Sequence, residues 1–421
     1  MALQIETFRN ADLSQGWRPG NNAGGTTFFK ALGHPKIAGA ARALVQSLAK
    51  ERAVALVDPF AAQGAAACFH AFYDLTGVPL EGYYVQRAED LRTSFLGHAA
   101  RPLSALAQSS ARIVFIASFD SARWLKGLEH LLPHDARVAS FDALRLPEAM
   151  LTNKRDYLDP LNFATNFALM RDIAGNGRAD GFHMRVTTAN YWSLHGAADP
   201  ALWLCLFDEE GQVLAEWMEA LPAPGGLVEI DSKSLRARFK LPDFAGSLFM
   251  HAVHAAGHEI VKYALDTYGE DGRALSCNHD ANAWPADFYA GMPAPDEGET
   301  LTLFIQNSHP APIRPRSIGF NIMGAQDMAF VEDEVPPFGT RALDVGKLLP
   351  QARFPDQIEI AAGRHFVRPR YEVARRMNGK TRRRIAHANV ERTDLKPDPD
   401  LPRLTEVLGK GYIMPLPIPP R

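Results

Sequence analysis

Two sets of residues have the types and placement to do chemistry. The first is histidine: His195, His251, His254, His258, His279 and His309 all lie beyond residue 148, in the part of the chain that reads as β. His279-Asp280 stands in the run SCNHDANAWPADFY. Imidazole and carboxylate on converging loops can hold a metal, and His195, His254, His279 and Asp280 are the set that one end of a β-fold could gather. No spacing enforces it, because the sequence has no HxH, HExxH or CxxC. His251 and His254, on one strand, would point to opposite faces. Polar loop histidines are the plainer expectation.

The second set follows apolar runs in the first half. It comprises Asp58, then Gln63 and Gly64 in DPFAAQGAA, Arg87 behind LEGYYVQ, and Ser118 and Asp120 in IASFD. A carboxylate suits sugar hydroxyls, an arginine fork suits phosphate, and loop N–H groups entering a helix suit an anion. A nucleotide-sugar or another phosphorylated small molecule is therefore the expected ligand, if this set is a site. A solvated surface arginine is the plainer reading of Arg87. A second anion cradle could form in RPGNNAGGTTFFKAL, although Lys30 comes too late for a Walker loop. A coil capped by threonine explains that stretch equally well.

The elements that must position these residues change character halfway along. AVALVDP, LEGYYVQ, ARIVFIASF and ARVASFDAL read as buried strands, separated by helical stripes such as Ala122, Leu125, Leu128 and Leu132. A hydrophobic stripe over 36–48 precedes them, and Gly77 reads as the C-cap of the helix before the second strand. Strands and helices in alternation require a parallel sheet covered on both faces. The expectation is a Rossmann-like domain over 30–148, with ligands at the carboxyl ends of its strands. Ordinary NAD binding is disfavoured, because DPFAAQGAA has one glycine where GxGxxG has three. Over 53–145 the layout, with LGHAARPLSALAQSSARIVFIAS in its second half, resembles the small Rossmann-type domains that open sugar-nucleotide-modifying enzymes and some redox regulators. That resemblance implies the fold and carries no catalytic residue with it.

Beyond residue 148 short strands and turn signals replace helices. ATNFALMRD pairs with FHMRVTTANYW across a Gly-Asn-Gly turn, and ALWLCLFDEEGQVLAEW turns at Glu210-Gly211. GSLFMHAVHAAGHEIVKYALDTYG reads as a third hairpin, turning over 255–257. The punctuation is then written twice. Pro222, Gly225, Val228-Glu229-Ile230, Leu235 and Leu241-Pro242-Asp243 recur, with one gap, as Pro336, Gly339, Leu343-Asp344-Val345, Leu349 and Phe354-Pro355-Asp356. Repetition of whole blocks implies two tandem antiparallel β-sandwich domains, over 149–271 and 272–373, whose turns should coincide within one residue. The fold class expected is thus α/β plus all-β. A Gly-rich arm over 1–29 precedes it, and a basic, Pro-rich extension over 374–421 follows. The cluster Arg375, Arg376, Lys380 and 382–384 could grip phosphate or acidic lipid, but a solvated linker is the plainer reading.

Composition narrows the function classes. A net charge of −3 over 421 residues gives no global field for nucleic acid, and no apolar run reaches membrane-spanning length. Three scattered cysteines and no leader-like N-terminus point to a reducing, cytoplasmic setting. Cys68 and Cys205 read as core, and there is no GxSxG. Trp192, Trp217, Trp284, Tyr191 and Tyr289 stand near polar loops, where aromatic faces suit sugar rings. The first expectation is a non-catalytic binding or assembly protein, meeting a partner through its sandwich loops, with the Rossmann-like unit as a ligand-binding or docking module. The alternatives are an enzyme acting on a nucleotide-linked or phosphorylated sugar, and a metal-dependent enzyme at the histidine loops. No cofactor is specified.

Overall fold

The computed structural model describes residues 2–5, 23–61, 64–175, 181–272, 274–280, 285–323, 325, 327–377, 380–390 and 395–398. A short ladder pairs β1 (Ala2–Ile5) with β25 (Leu395–Asp398) antiparallel. The α/β unit holds β2 (Val54–Asp58), β3 (Leu80–Val85), β4 (Ser94–Phe95), β5 (His98–Pro102), β6 (Ile113–Ile116) and β7 (Arg137–Ser140). Their order is β4-β5-β3-β2-β6-β7, parallel except for β4. Helices α1 (Ala23–Gly33), α2 (Ala38–Ala49) and α3 (Ala65–Tyr73) cover one face, and α4 (Ala122–Leu128) the other. Period-two alternation makes this possible: Val54 and Leu56 enter the core under α1–α3, while Ala55 and Val57 enter the one with Leu125 and Leu128. Gly77 does not cap α3. Asp74 does so at φ +34, its N–H bonded to the His70 carbonyl at 2.8 Å.

The first sandwich is built from β8 (Ala164–Ile173), β9 (Phe182–Ala189), β10 (Ala201–Phe207), β11 (Val213–Ala220), β12 (Leu227–Asp231), β13 (Phe244–Val253), β14 (Tyr263–Gly269) and β15 (Ala274–Asp280). One layer runs β11-β10-β13-β8. In the other, β9 lies between β12 and β14, with β15 beyond. The layers join where β8 and β9 pair over two residues, Asp172 with His183 and Ile173 with Phe182. The apolar run of β10 is explained by burial on both sides. Leu202, Leu204 and Leu206 fill the sandwich, while Trp203, Cys205 and Phe207 pack in the core under α1–α3.

The second sandwich uses β16 (Phe288–Pro293), β17 (Glu299–Gln306), β18 (Gly319–Ile322), β19 (Ala329–Phe330), β20 (Thr340–Asp344), β21 (Gln357–Ala361), β22 (Arg370–Met377), β23 (Lys380–His387) and β24 (Asn389–Val390). Its layers run β19-β18-β21-β16-β24 and β20-β17-β22-β23. Strand for strand this repeats the first sandwich, with β24 added at one edge. In both copies a short helix follows the turn strand: α5 (Ser232–Phe239) and α6 (Val345–Leu348). Asp231 and Asp344 cap them, accepting the N–H groups of Ser234 and Lys347.

Three sequence expectations change here. β15 pairs with β14 in the first sandwich, so the boundary between the copies lies beyond 280 and not at 271/272. β13 and β14 are not a hairpin: β13 pairs with β8 and β10, β14 with β9 and β15, and the Gly257 turn carries the chain between layers. Residues 374–390 are not an extension, since β22, β23 and β24 complete the second sandwich. Arg375, Arg376, Arg382 and Arg384 lie exposed on that hairpin, whereas Arg383 pairs with buried Glu372. Glu372 also takes Arg171 at 2.7 Å, and Arg370 takes Asp280 at 2.8 Å, so buried ion pairs bind one sandwich to the other. Among the described residues no helix is long and apolar enough to cross a membrane.

Candidate functional site

The repeated punctuation has a common physical cause. The backbone N–H of Asn190, after β9, donates to Gly226 O at 2.9 Å, and that of Asn307, after β17, donates to Gly339 O at 2.9 Å. Their side-chain Nδ2 atoms then donate to the proline carbonyls, Asn190 to Pro222 at 2.7 Å and Asn307 to Pro336 at 2.9 Å. Gly226 and Gly339 each close a turn onto the residue three before. The strand registers match too, Leu227 with Ala189 and Thr340 with Gln306. Gly226, one place beyond Gly225, therefore answers Gly339, and Asp231 rather than Glu229 answers Asp344, so the correspondence drawn from sequence slips by two residues over Val228-Glu229-Ile230.

The copies diverge two residues past the asparagine. In the first stands Trp192, fully buried, its Nε1 bonded to His258 O at 3.1 Å. In the second stands His309, 7% exposed, its ring centroid 5.1 Å from both Phe29 of α1 and Phe72 of α3. His309 Nε2 is buried without a hydrogen-bond partner. It lines a cleft of about 780 Å³ between α1–α3 and the loops of the second sandwich.

Arginine dominates the polar lining. Arg364 forks onto Asp287, Nε to Oδ1 at 2.9 Å and Nη2 to Oδ2 at 2.7 Å, while its buried Nη1 has no partner. Gly363 and Arg364 both take left-handed backbone, at φ +56 and +61. The arginine's N–H bonds Ala286 O at 3.1 Å, so the fold holds this loop against the strain. Arg42 reaches from α2 to Pro310 O at 3.1 Å. Arg314, Asp74, His70 and His365 complete the charged and titratable lining. The Leu75 N–H donates to His70 Nδ1 at 2.9 Å, which puts the His70 proton on Nε2.

Burial decides the charge of these imidazoles. It pulls His309 down to about 3, with His365 adding repulsion, and lowers His365 as well. Where α1 meets the first sandwich, His34 Nε2 and His251 Nδ1 lie 3.0 Å apart. Burial takes His251 to about 3, helped by the Lys30 cation, and holds His34 well below its usual value. Each is neutral when folded but protonates near pH 6.5 when unfolded. The unfolded chain then binds more protons as pH falls from about 6.5 towards about 3, so stability is lost in that window. Burial raises Asp58 to about 7, which acts in reverse and removes stability as pH rises from about 4 to 7. The four histidines outweigh it below pH 6. The melting temperature is expected to fall between pH 6.5 and 4.5, and scanning calorimetry should find a smaller fall in His309→Phe.

The strand-end set is placed as follows. Asp58 is buried and accepts the N–H groups of Phe60 and Ala66 at 3.0 and 3.2 Å. Ser118 is buried, donating to Phe119 O and accepting from Trp124 Nε1. Asp120 pairs with Arg145 at 2.6 Å, and Arg87 forms an exposed pair with Glu89. Gly64 precedes α3 at φ +69. Gln63, Trp284 and residues 18–22 of the glycine-rich arm lie outside the described residues, while Gly24 and Gly25 fall in α1. Phe119 packs on Phe28, Phe141 and Tyr157, and Phe60 on Trp124, so aromatic side chains of the protein itself occupy this end of the sheet.

The histidine set is divided. His195 meets His258 edge to face, His254 Nδ1 lies 3.3 Å from Asp199 O, His279 meets His387, and Asp280 is buried against Arg370. Among the described residues no three His, Cys, Asp or Glu side chains are grouped to hold a metal. Trp192, Trp217 and Tyr289 are buried, which removes them from the expected sugar-stacking surface. Arg42 and Arg364 were not singled out from sequence, and His309 was read only as one of the β-half histidines. Aligning Asn307-Ser308-His309 with Asn190-Tyr191-Trp192 was the available signal. Searches of protein-family models, curated proteins and solved structures find no match to this chain.

Proposed function

We propose that this chain is a non-catalytic binding protein, which holds a small molecule between the loops of its second sandwich and helices α1–α3. One observation carries the reading: His309 and Arg364, each with a buried nitrogen that has no partner (Nε2 and Nη1), line the same cleft. A buried polar group left unpaired costs about 1–3 kcal/mol, so the fold retains two costs that a ligand would remove. A cleft of about 780 Å³ is of the size that encloses a small organic molecule. The α/β unit acts in this reading as a docking module, offering its helical side rather than its strand ends. Three free thiols suit a reducing, cytoplasmic setting.

A thermal-shift panel of organic acids, nucleotides and nucleotide-sugars tests this. A ligand at a hundred times its dissociation constant stabilises the fold by about 2.7 kcal/mol. The shift should appear in the wild type and in Arg87→Ala, and vanish in His309→Phe. A shift kept by His309→Phe and lost in Arg87→Ala would place the ligand at the strand ends and overturn the reading.

A further inference from the structure

Resting on that reading, we infer that the ligand is an apolar monocarboxylate, its carboxylate on the free Nη1 edge of Arg364 and its apolar body along Phe29 and Phe72. Charge balance is the first argument. The lining carries three guanidinium groups, Arg42, Arg314 and Arg364, against two carboxylates, Asp74 and Asp287. One positive charge is left over, which a monoanion cancels. A phosphate dianion or a nucleotide would bring excess negative charge beside Asp74 and Asp287. Buried His309 and His365 stay neutral, so they supply hydrogen bonds without further charge.

Geometry is the second argument. Asp287 already engages Nε and Nη2 of Arg364, so one of the guanidinium's two-pronged faces is taken and its charge is partly answered. What remains is the end-on face, the two N–H groups of Nη1 beside the second N–H of Nη2, which a carboxylate can take. His309 Nε2, also unpaired, can meet a second polar atom of the same ligand. The rest of the wall is apolar, with the rings of Phe29 and Phe72 and the prolines Pro310, Pro312 and Pro337. A ring or short chain fits there, where a polyhydroxylated ligand would leave its hydroxyls unpaired.

Isothermal titration of the full chain with phenylacetate, phenylacetamide and phenyl phosphate tests the inference. Phenylacetate should bind. A charge-assisted hydrogen bond is worth about 1.5–3 kcal/mol, so the neutral amide should bind at least about tenfold more weakly. At pH 8 the phosphate dianion should also bind more weakly. His309→Phe should weaken phenylacetate at least about tenfold, and Arg314→Ser, which alters charge on an exposed side chain, should weaken it less. If the amide equals the acid, or the phosphate binds best and His309→Phe abolishes that binding, the ligand class is wrong and the cleft stands. If none of the three binds, the monocarboxylate assignment falls, and the thermal-shift panel separately decides whether the cleft falls with it.

Discussion

Replacing Asn307 by alanine is expected to lower the unfolding free energy by about 3 kcal/mol or more and to abolish ligand binding in the cleft. The Asn307 amide is fully buried and donates to Ala311 O at 2.8 Å and Pro336 O at 2.9 Å, with Val335 O at 3.3 Å. Its Oδ1 accepts the His309 N–H at 3.0 Å. Alanine leaves these groups buried without partners and frees the loop that presents His309. Urea denaturation gives the energy, and titration of the same variant gives the binding. Asn190→Ala is the control. It removes the matching bond to Pro222 and a longer one from Ser193 N at 3.2 Å, so it should cost less and leave binding intact. Equal effects of the two variants on binding would contradict the account.

Gly211→Val should be the most damaging single substitution at the junction of the sandwiches, costing about 3 kcal/mol or more. The β10–β11 turn inserts its tip into the Pro336–Gly339 turn of the second copy. Glu209 O accepts Thr340 N at 3.0 Å and Arg341 Nη1 at 2.9 Å, and Phe207 stacks on Phe338 at 5.0 Å. A Cβ on Gly211 would lie 1.9 Å from Pro337 O, an overlap with backbone that no rotamer relieves. The residue also sits at φ +74, where a β-branched side chain adds strain to the overpacking. Calorimetry should show a lower midpoint, with exposure of Trp203 and Phe249 to quenchers if the first sandwich parts from its neighbours. A midpoint within 1 °C of wild type would contradict the contact.

The turn-based repeat was legible because turns and caps demand particular chemistry. Only a few residues can close the Pro222–Gly226 and Pro336–Gly339 turns or cap α5 and α6, so their order survives where strand residues drift. The parallel sheet was legible for a related reason, since strands such as β2 are apolar on both faces. Pairing across layers was not. The segment from β13 to β14 has the local pattern of a hairpin, and only packing of Leu248 and Leu265 into one core from opposite layers separates them. The basic run after Tyr371 reads as linker because alternating arginines on an edge hairpin mimic a solvated tail.

The cleft was hidden for another reason. Phe29, Arg42, Phe72, His309 and Arg364 come from elements up to 335 positions apart, and no local pattern joins them. The strand-end set was sought where α/β sheets usually bind, but there Asp58 and Ser118 satisfy the protein's own groups. His309 alone left a trace, as a histidine where the first copy carries a tryptophan.

Crystals of the full chain grown with phenylacetate test the central claim most directly. The account predicts ligand density between Phe72 and Arg364, with its carboxylate within hydrogen-bond distance of Arg364 Nη1. Density at the Asp58–Arg87 strand ends, with the cleft holding only solvent, would contradict it.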